Sequence, residues 1–257
     1  IMMAFLRPDL FTGFISQAGF IAVNDFGAYI ETYTGRQMAA VLIAGNQDTN
    51  VDAWESLRAA KLLEDRLPFT GRQPALEVRR QLLERPDCTW PDLANLVDYC
   101  WNQGIAVVHA THMPRGTRKI DGLATFIGER PVIVLASQRK SPAWLAFHLA
   151  HELGHIMCGH VKRNEAPLVD VDIQSTNSEK QEREADEYAF QVLTGRPQLE
   201  LHGAQGMQAA AFAREAQRFG EQHRIYPGTV ALIYGYCRQR IPLAQKALAV
   251  MGENEGA

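Results

Sequence analysis

The apolar positions of this 257-residue chain fall into three stretches of different rhythm. Residues 1–50 mix short apolar runs, Gly19–Val23 and Met38–Ala44, with Gly13, Gly19, Gly27, Gly35 and Gly45, and sustain neither a helical nor a strand period. Asp48–Asn50 can cap a helix over Val51–Arg66, which must end before Pro68. Pro68–Pro74, with Gly71 between its prolines, reads as a linker. Pro74 suits the first position of a helix over Ala75–Glu84, whose apolar residues are Leu76, Val78, Leu82 and Leu83. Thr89-Trp90-Pro91-Asp92 opens a second helix, Leu93–Asn102, which Gly104 stops.

The period shortens after Gly104. Ile105–His109, Gly122–Ile127 and Pro131–Ala136 are β-rich, and Gly128-Glu129-Arg130 suits a short hairpin loop between the last two. Ser141-Pro142 is expected to cap a long helix, Ala143–Met157, closed near Gly159. A mixed loop, Val161–Asn177, precedes another helix, with Asn177 or Ser178 as cap, acidic residues in its first turns and Gly195-Arg196-Pro197 at its end. Three further helices are read at Ala204–Gln222, Pro227–Arg240 and Pro242–Met251, before an acidic tail that should fray. The order predicts an α+β fold: a small three-stranded sheet followed by two long helices, flanked by further N- and C-terminal helices. Residues 1–71 are taken as a mostly helical accessory segment, 72–198 as the main domain and 199–257 as a helical extension.

Composition narrows the class without naming a function. Hydrophobic residues at 46% and charged residues at 21% are those of a globular chain. A net charge of −3 excludes a polyphosphate-binding surface spread over the whole chain, and leaves a local basic patch open, with residues 1–70 or 200–250 as segments that could bind DNA or a partner. Cys88, Cys100, Cys158 and Cys237 form no CxxC pair, which suits reduced thiols in a cytoplasmic protein. No run approaches the roughly 18 apolar residues of a membrane span. Ile1–Asp9 shows no basic region followed by an apolar core, so no secretory signal is read, and the opening Ile leaves room for an upstream segment.

The chemistry lies in His151-Glu152-Leu153-Gly154-His155, an HExxH motif on the Ala143–Met157 helix. Positions i and i+4 set both imidazoles on one helix face, one turn apart, where their nitrogens can meet a single ion. Glu152 lies one residue round from the first imidazole, placed to act as general base on water beside the ion. Chance alone yields such a motif on the order of once in a hundred chains of this length, so a third ligand decides. The metzincin continuation fails, since Cys158 and Val161 stand where its Gly and third His belong. His160 follows the helix end and would need a tight return to reach the same ion.

A better third ligand lies in Glu182-Arg183-Glu184-Ala185-Asp186-Glu187-Tyr188-Ala189-Phe190. Glu182, Asp186, Ala189 and Leu193 share one helical face, an unusual stripe of two carboxylates beside apolar residues. Glu182 on the ion, with Asp186 one turn later orienting a ligand imidazole, accounts for both carboxylates. Glu184 is the alternative ligand; otherwise Glu179, Glu184 and Glu187 form the solvated face. Ala185 and Ala189 permit close approach to the HExxH helix. Trp90, Trp101, Trp144, Phe147 and Phe190 read as core. Tyr188, His160 and His148 are read as structural, and no residue is assigned to stabilise an oxyanion. A second metal site at His109 and His112 is the lesser reading of that loop.

Ala150-His151-Glu152-Leu153-Gly154-His155, the strand pair before it, and Glu182–Ala189 together resemble the ImmA/IrrE family of zinc metallopeptidases. The resemblance covers residues 72–195, with Tyr188 where the family commonly has Phe, and extends weakly to Ile225–Val230. It implies a zincin-like catalytic domain with one Zn²⁺ on His151, His155 and Glu182, and Glu152 as base. It also implies a regulatory endopeptidase whose protein substrate is a helix-turn-helix repressor of phage, mobile-element or stress genes. No helix-turn-helix is read in residues 1–70. Membrane-embedded peptidases share the HExxH…ExxxD arrangement but would need the apolar spans this chain lacks. The extended substrate would pair with a strand edge, Gly122–Ile127 or Pro131–Ala136. Two other classes stay open: a metal-binding regulator without proteolysis, which would not need Glu152, and an antitoxin-like interaction module.

Overall fold

The computed structural model describes residues 68–109, 121–127, 129–137, 139–163, 176–201 and 204–253, and the backbone of two strands, 13–17 and 39–43. The helix expected over Val51–Arg66, the His112 loop and most of Val161–Asn177 lie outside the described residues. The chain forms two compact units, one built on the sheet and one on the helices that carry the HExxH motif.

In the first unit, strand β1 (Gly13–Gln17), β2 (Ala39–Ile43), β3 (Ala106–His109), β4 (Gly122–Ile127) and β5 (Arg130–Leu135) form one mixed sheet in the order β1-β2-β3-β5-β4. The three strands read from the sequence are its β3-β5-β4 part, and two parallel strands continue it from residues 1–71, where no strand was expected. Ile127 faces Arg130 in the antiparallel β4–β5 pair, the register of a two-residue hairpin loop. Trp101, from the end of helix α2 (Leu93–Asn102), packs with Ala106 and Val132, and the Arg130 guanidinium lies 5.0 Å from its ring centroid. Because β5 is bonded on both sides, the expectation that Pro131–Ala136 offers a docking edge is corrected; β4 pairs on one side only among the described residues.

The second unit packs helix α3 (Pro142–Cys158) against α4 (Thr176–Thr194), with α1 (Ala75–Glu84), α5 (Ala209–His223), α6 (Pro227–Cys237) and α7 (Ile241–Val250) around them. A short 3₁₀ turn, Ala204–Gly206, precedes α5, so the helix expected from Ala204 starts five residues later. Helix α3 is buried from Ala143 to Met157 at all but three positions, and α6 from Gly228 to Gly235 throughout, so both are central helices of this unit. The HExxH motif therefore rides on one of the most enclosed helices of the molecule.

Two local arrangements depart from what residue type suggests, the second correcting the cap expected of Ser141. On α1, Leu76 is exposed and Arg79 turns inward in its place. Its guanidinium donates to Val192 O and Leu193 O at the end of α4 (3.2 and 2.7 Å) and to His223 O and Arg224 O at the end of α5 (3.3 and 2.8 Å). Four carbonyls that two helix ends would leave bare thus share one cation. At the start of α3, Ser141 makes no side-chain cap; its hydroxyl donates to Glu253 Oε2 (2.5 Å), and the same oxygen accepts the Ala143 N–H (3.1 Å). A carboxylate from the far end of the chain, with its full negative charge at the helix N-terminus, takes the role expected of the serine.

Candidate metal centre

The spacing of the HExxH motif does locally what the helix period requires. His151 and His155 point from one face of α3, and their Nε2 atoms lie 3.1 Å apart. What brings the third group is the close crossing of α3 and α4. An added Cβ on Gly154 would stand 3.0 Å from both Cα and O of Ala185 and 3.2 Å from Tyr188 Cβ, so the glycine within the motif is needed for the contact. Ala185 and Ala189 are fully buried at this crossing, as small residues there should be.

Across it, Glu182 places Oε2 at 3.1 Å from His151 Nε2 and Oε1 at 3.4 Å from His155 Nε2. One ligand atom from each of the three residues lies within 4.8 Å of the others. Tetrahedral bonds of about 2.0–2.1 Å to one ion would separate ligands by about 3.3–3.4 Å, close to the spacing found. Two imidazoles with one carboxylate are a donor set for a borderline transition ion, unlike the all-oxygen sets of Ca²⁺ or Mg²⁺. The local field also favours positive charge. Burial alone would lower the His151 pKa, but hydrogen bonds that its ring donates to Asp186 and Glu182 outweigh it and push His151 up to about 10. The same imidazoles hold the Glu182 carboxyl far below the usual carboxylate range. By geometry, donor chemistry and electrostatics these three residues fit a metal ion.

Each histidine has a second contact on its Nδ1 side. His151 Nδ1 lies 2.9 Å from Asp186 Oδ1, one turn after Glu182 on α4. The other oxygen of Asp186 accepts the Tyr236 hydroxyl (2.9 Å). Tyr236, near the end of α6, leans on Phe147 and Phe190 with ring centroids 6.0 and 5.9 Å away, and burial together with the Asp186 charge pushes its phenol up to about 12. His155 Nδ1 lies 3.0 Å from His160 Nδ1, and His160 Nε2 lies 2.9 Å from Glu184 Oε2. Burial keeps the His160 pKa below the ordinary histidine range despite the pull of Glu184.

The structure brings His151, His155, Glu182 and Asp186 together, with Glu152 buried beside them (8% exposed). His160 does make the tight return that the sequence left in question. Gly159 adopts φ 82°, the His160 N–H bonds to His155 O at 2.9 Å, and the ring settles behind His155 rather than among the ligand atoms. Glu184 lies on the solvated face, as read, and from there also makes that contact. Both were visible in the sequence, but their pairing was not, because it depends on one left-handed glycine. Tyr236 carried no signal at all, being 50 residues from its partner. Tyr188 is structural as expected, donating to Gln73 O at 2.9 Å, and His148 lies against Trp144, centroids 5.8 Å apart.

Residues 143–231 match the model of the family described as Peptidase U49, a stretch holding every residue of this centre except Tyr236. The match points to a peptidase, that is, to hydrolysis of peptide bonds. No curated protein and no solved structure matches the chain. Among the described residues no helix is long and apolar enough to cross a membrane.

Proposed function

We propose that the chain is a zinc-dependent endopeptidase of the ImmA/IrrE type, with His151, His155 and Glu182 as metal ligands, Glu152 as general base and Asp186 orienting His151. The observation that carries the reading is the cluster of two imidazole Nε2 atoms 3.1 Å apart, each 3.1–3.4 Å from one of the two Glu182 carboxylate oxygens, inside a segment that matches a peptidase family. Zinc held by His151, His155 and Glu182 would supply Lewis-acid polarisation of the scissile carbonyl and would acidify water toward neutrality. Glu152 takes the proton of the attacking water and returns it to the amide nitrogen, so that the C–N bond breaks with release of a free amine. Asp186 accepts the Nδ1–H of His151 and so leaves the Nε2 lone pair for the metal. The Tyr236 hydroxyl in turn fixes the carboxylate of Asp186.

Residues 72–198 form the peptidase segment in this reading. The substrate is a protein, a helix-turn-helix repressor whose loss switches on phage, mobile-element or stress genes in the cytoplasm. The support is the resemblance carried by HELGH and by Glu182–Ala189, together with a mildly acidic chain suited to a basic DNA-binding substrate.

Purified from zinc-replete medium, the protein should carry about one zinc per chain. Glu152→Gln should keep the metal and lose cleavage, whereas His151→Ala should lose both. Protein free of tightly held metal, or cleavage that survives Glu152→Gln, overturns the assignment. Co-expression with a repressor encoded beside this chain, read as a cut band, tests the substrate.

A further inference from the structure

We propose that His160 and Glu184 are positioning residues for His155, fixing which of its ring nitrogens carries the proton. The inference rests on the metal reading above and extends it to the support of one ligand. His155 directs Nε2 at the Nε2 of His151 (3.1 Å) and at Glu182 Oε1 (3.4 Å), so as a ligand it must keep that nitrogen bare. A neutral imidazole then holds its proton on Nδ1. That proton meets His160 Nδ1 at 3.0 Å, in a pocket where both rings are buried, at 3% and 8% exposure. Two nitrogens facing each other with no cation between them must be one donor and one acceptor, because two protons would clash and two lone pairs would repel. His160 therefore presents a bare Nδ1 and carries its own proton on Nε2, which lies 2.9 Å from Glu184 Oε2.

The chain of bonds has one workable direction, and its far end sets it. An ionised carboxylate only accepts, so Glu184 requires the proton on His160 Nε2, which requires a bare His160 Nδ1, which requires the proton on His155 Nδ1. Reversing the chain would place a proton on His155 Nε2, where the ion must bind. His160 thus acts as an imidazole spacer that lets a carboxylate on α4 govern an imidazole it does not touch. The Gly159 turn makes the spacer possible by returning residue 160 against residue 155.

The test uses the full chain. Zinc affinity is measured by competition with a chromophoric chelator, and the tautomers of the zinc-loaded protein by long-range ¹H–¹⁵N spectra of the imidazoles. His160 should show an unprotonated Nδ1 and a protonated Nε2. His160→Leu should weaken zinc about 10–100-fold, the range for loss of a group that orients a metal-binding histidine. Glu184→Gln, on the surface, should weaken it about 3–10-fold, since an amide no longer enforces one direction. In the His160→Leu background Glu184→Gln should add nothing, because its effect passes through His160. A His160 proton on Nδ1, or zinc binding within about twofold of the parent in Glu184→Gln together with full additivity, overturns the proposal. Should His160→Leu fail to fold, the tautomer spectrum and Glu184→Gln decide alone. A parent chain that binds neither zinc nor cobalt overturns the metal reading itself, an outcome distinct from a parent that binds while the variants bind equally well.

Discussion

The two histidines of the motif stand one turn apart on the same helix face, yet their supports are built differently. His151 meets its carboxylate directly: Asp186 reaches across from α4 and is held by a hydroxyl from α6. His155 meets its carboxylate through an intermediary, with His160 interposed before Glu184. The difference follows from the crossing of α3 and α4. Near His151, Asp186 follows Glu182 by one turn and reaches the ring unaided. Beside His155, the chain leaves α3 at Gly159, and the returning residue occupies the space between ring and carboxylate. Equal spacing along a helix therefore does not give equal surroundings, and the two histidines should respond differently to substitution of their partners.

The largest separation of the two arms should come from Asp186→Ala, which removes the direct partner of His151. Metal affinity should fall about 10–100-fold, beyond the effect of Glu184→Gln on the other arm. Chelator competition on the two variants side by side would reverse the comparison if Glu184→Gln proved the more damaging. Gly154→Ala should instead touch both arms together. Its methyl has to displace backbone of Ala185 at 3.0 Å, so α4 must move, carrying Glu182, Asp186 and Glu184 with it. A loss of about 1–3 kcal/mol in unfolding free energy of the metal-free protein is expected, with weaker metal binding as a companion effect. Denaturant unfolding indistinguishable from the parent would mean that the crossing is looser than described.

A finer probe of the His151 arm is Tyr236→Phe, which keeps the packing on Phe147 and Phe190 and deletes one hydrogen bond. Metal affinity should drop by an amount equivalent to about 0.5–1.5 kcal/mol, while the His160 tautomer stays as it was. A changed His160 spectrum in that variant would show the arms to be coupled. The smallest expected effect is that of Glu253→Gln, which leaves both arms in place and weakens only the charge at the start of α3. About 0.3–1 kcal/mol of stability should be lost, with metal affinity unchanged. A clear loss of metal would extend the site's support to the chain's C-terminal segment.

Much of the second unit was readable from pattern. The limits of α1 and α2 agree with the periodicity residue for residue, and α3 exceeds its expected range by one residue at each end. His151, His155, Glu182 and Asp186 emerged from two helical faces because i, i+4 spacing is a property of the backbone alone. Sequence failed where a group's role depends on something distant in the chain. Ser141 was given a cap that Glu253 supplies. Leu76 was counted among the apolar positions of its helix yet is exposed, while Arg79 turns inward, since an Arg inside is acceptable only when unsatisfied carbonyls await it. Strands β1 and β2 escaped notice because they show no alternation of their own.

Local spacing alone put two imidazoles on one helix face, a glutamate next to the first and a stripe of carboxylates on a second helix, with Glu182 ahead of Glu184, since short-range helical geometry dictates all of these. It took tertiary packing to settle that Glu182 rather than Glu184 approaches both imidazoles, that Gly154 lets the two helices come that near, and that Tyr236, His160 and Glu184 stand behind the histidines. Those facts depend on how close two packed helices lie and on one left-handed turn at Gly159, and neither is written in the spacing of residues along a single helix.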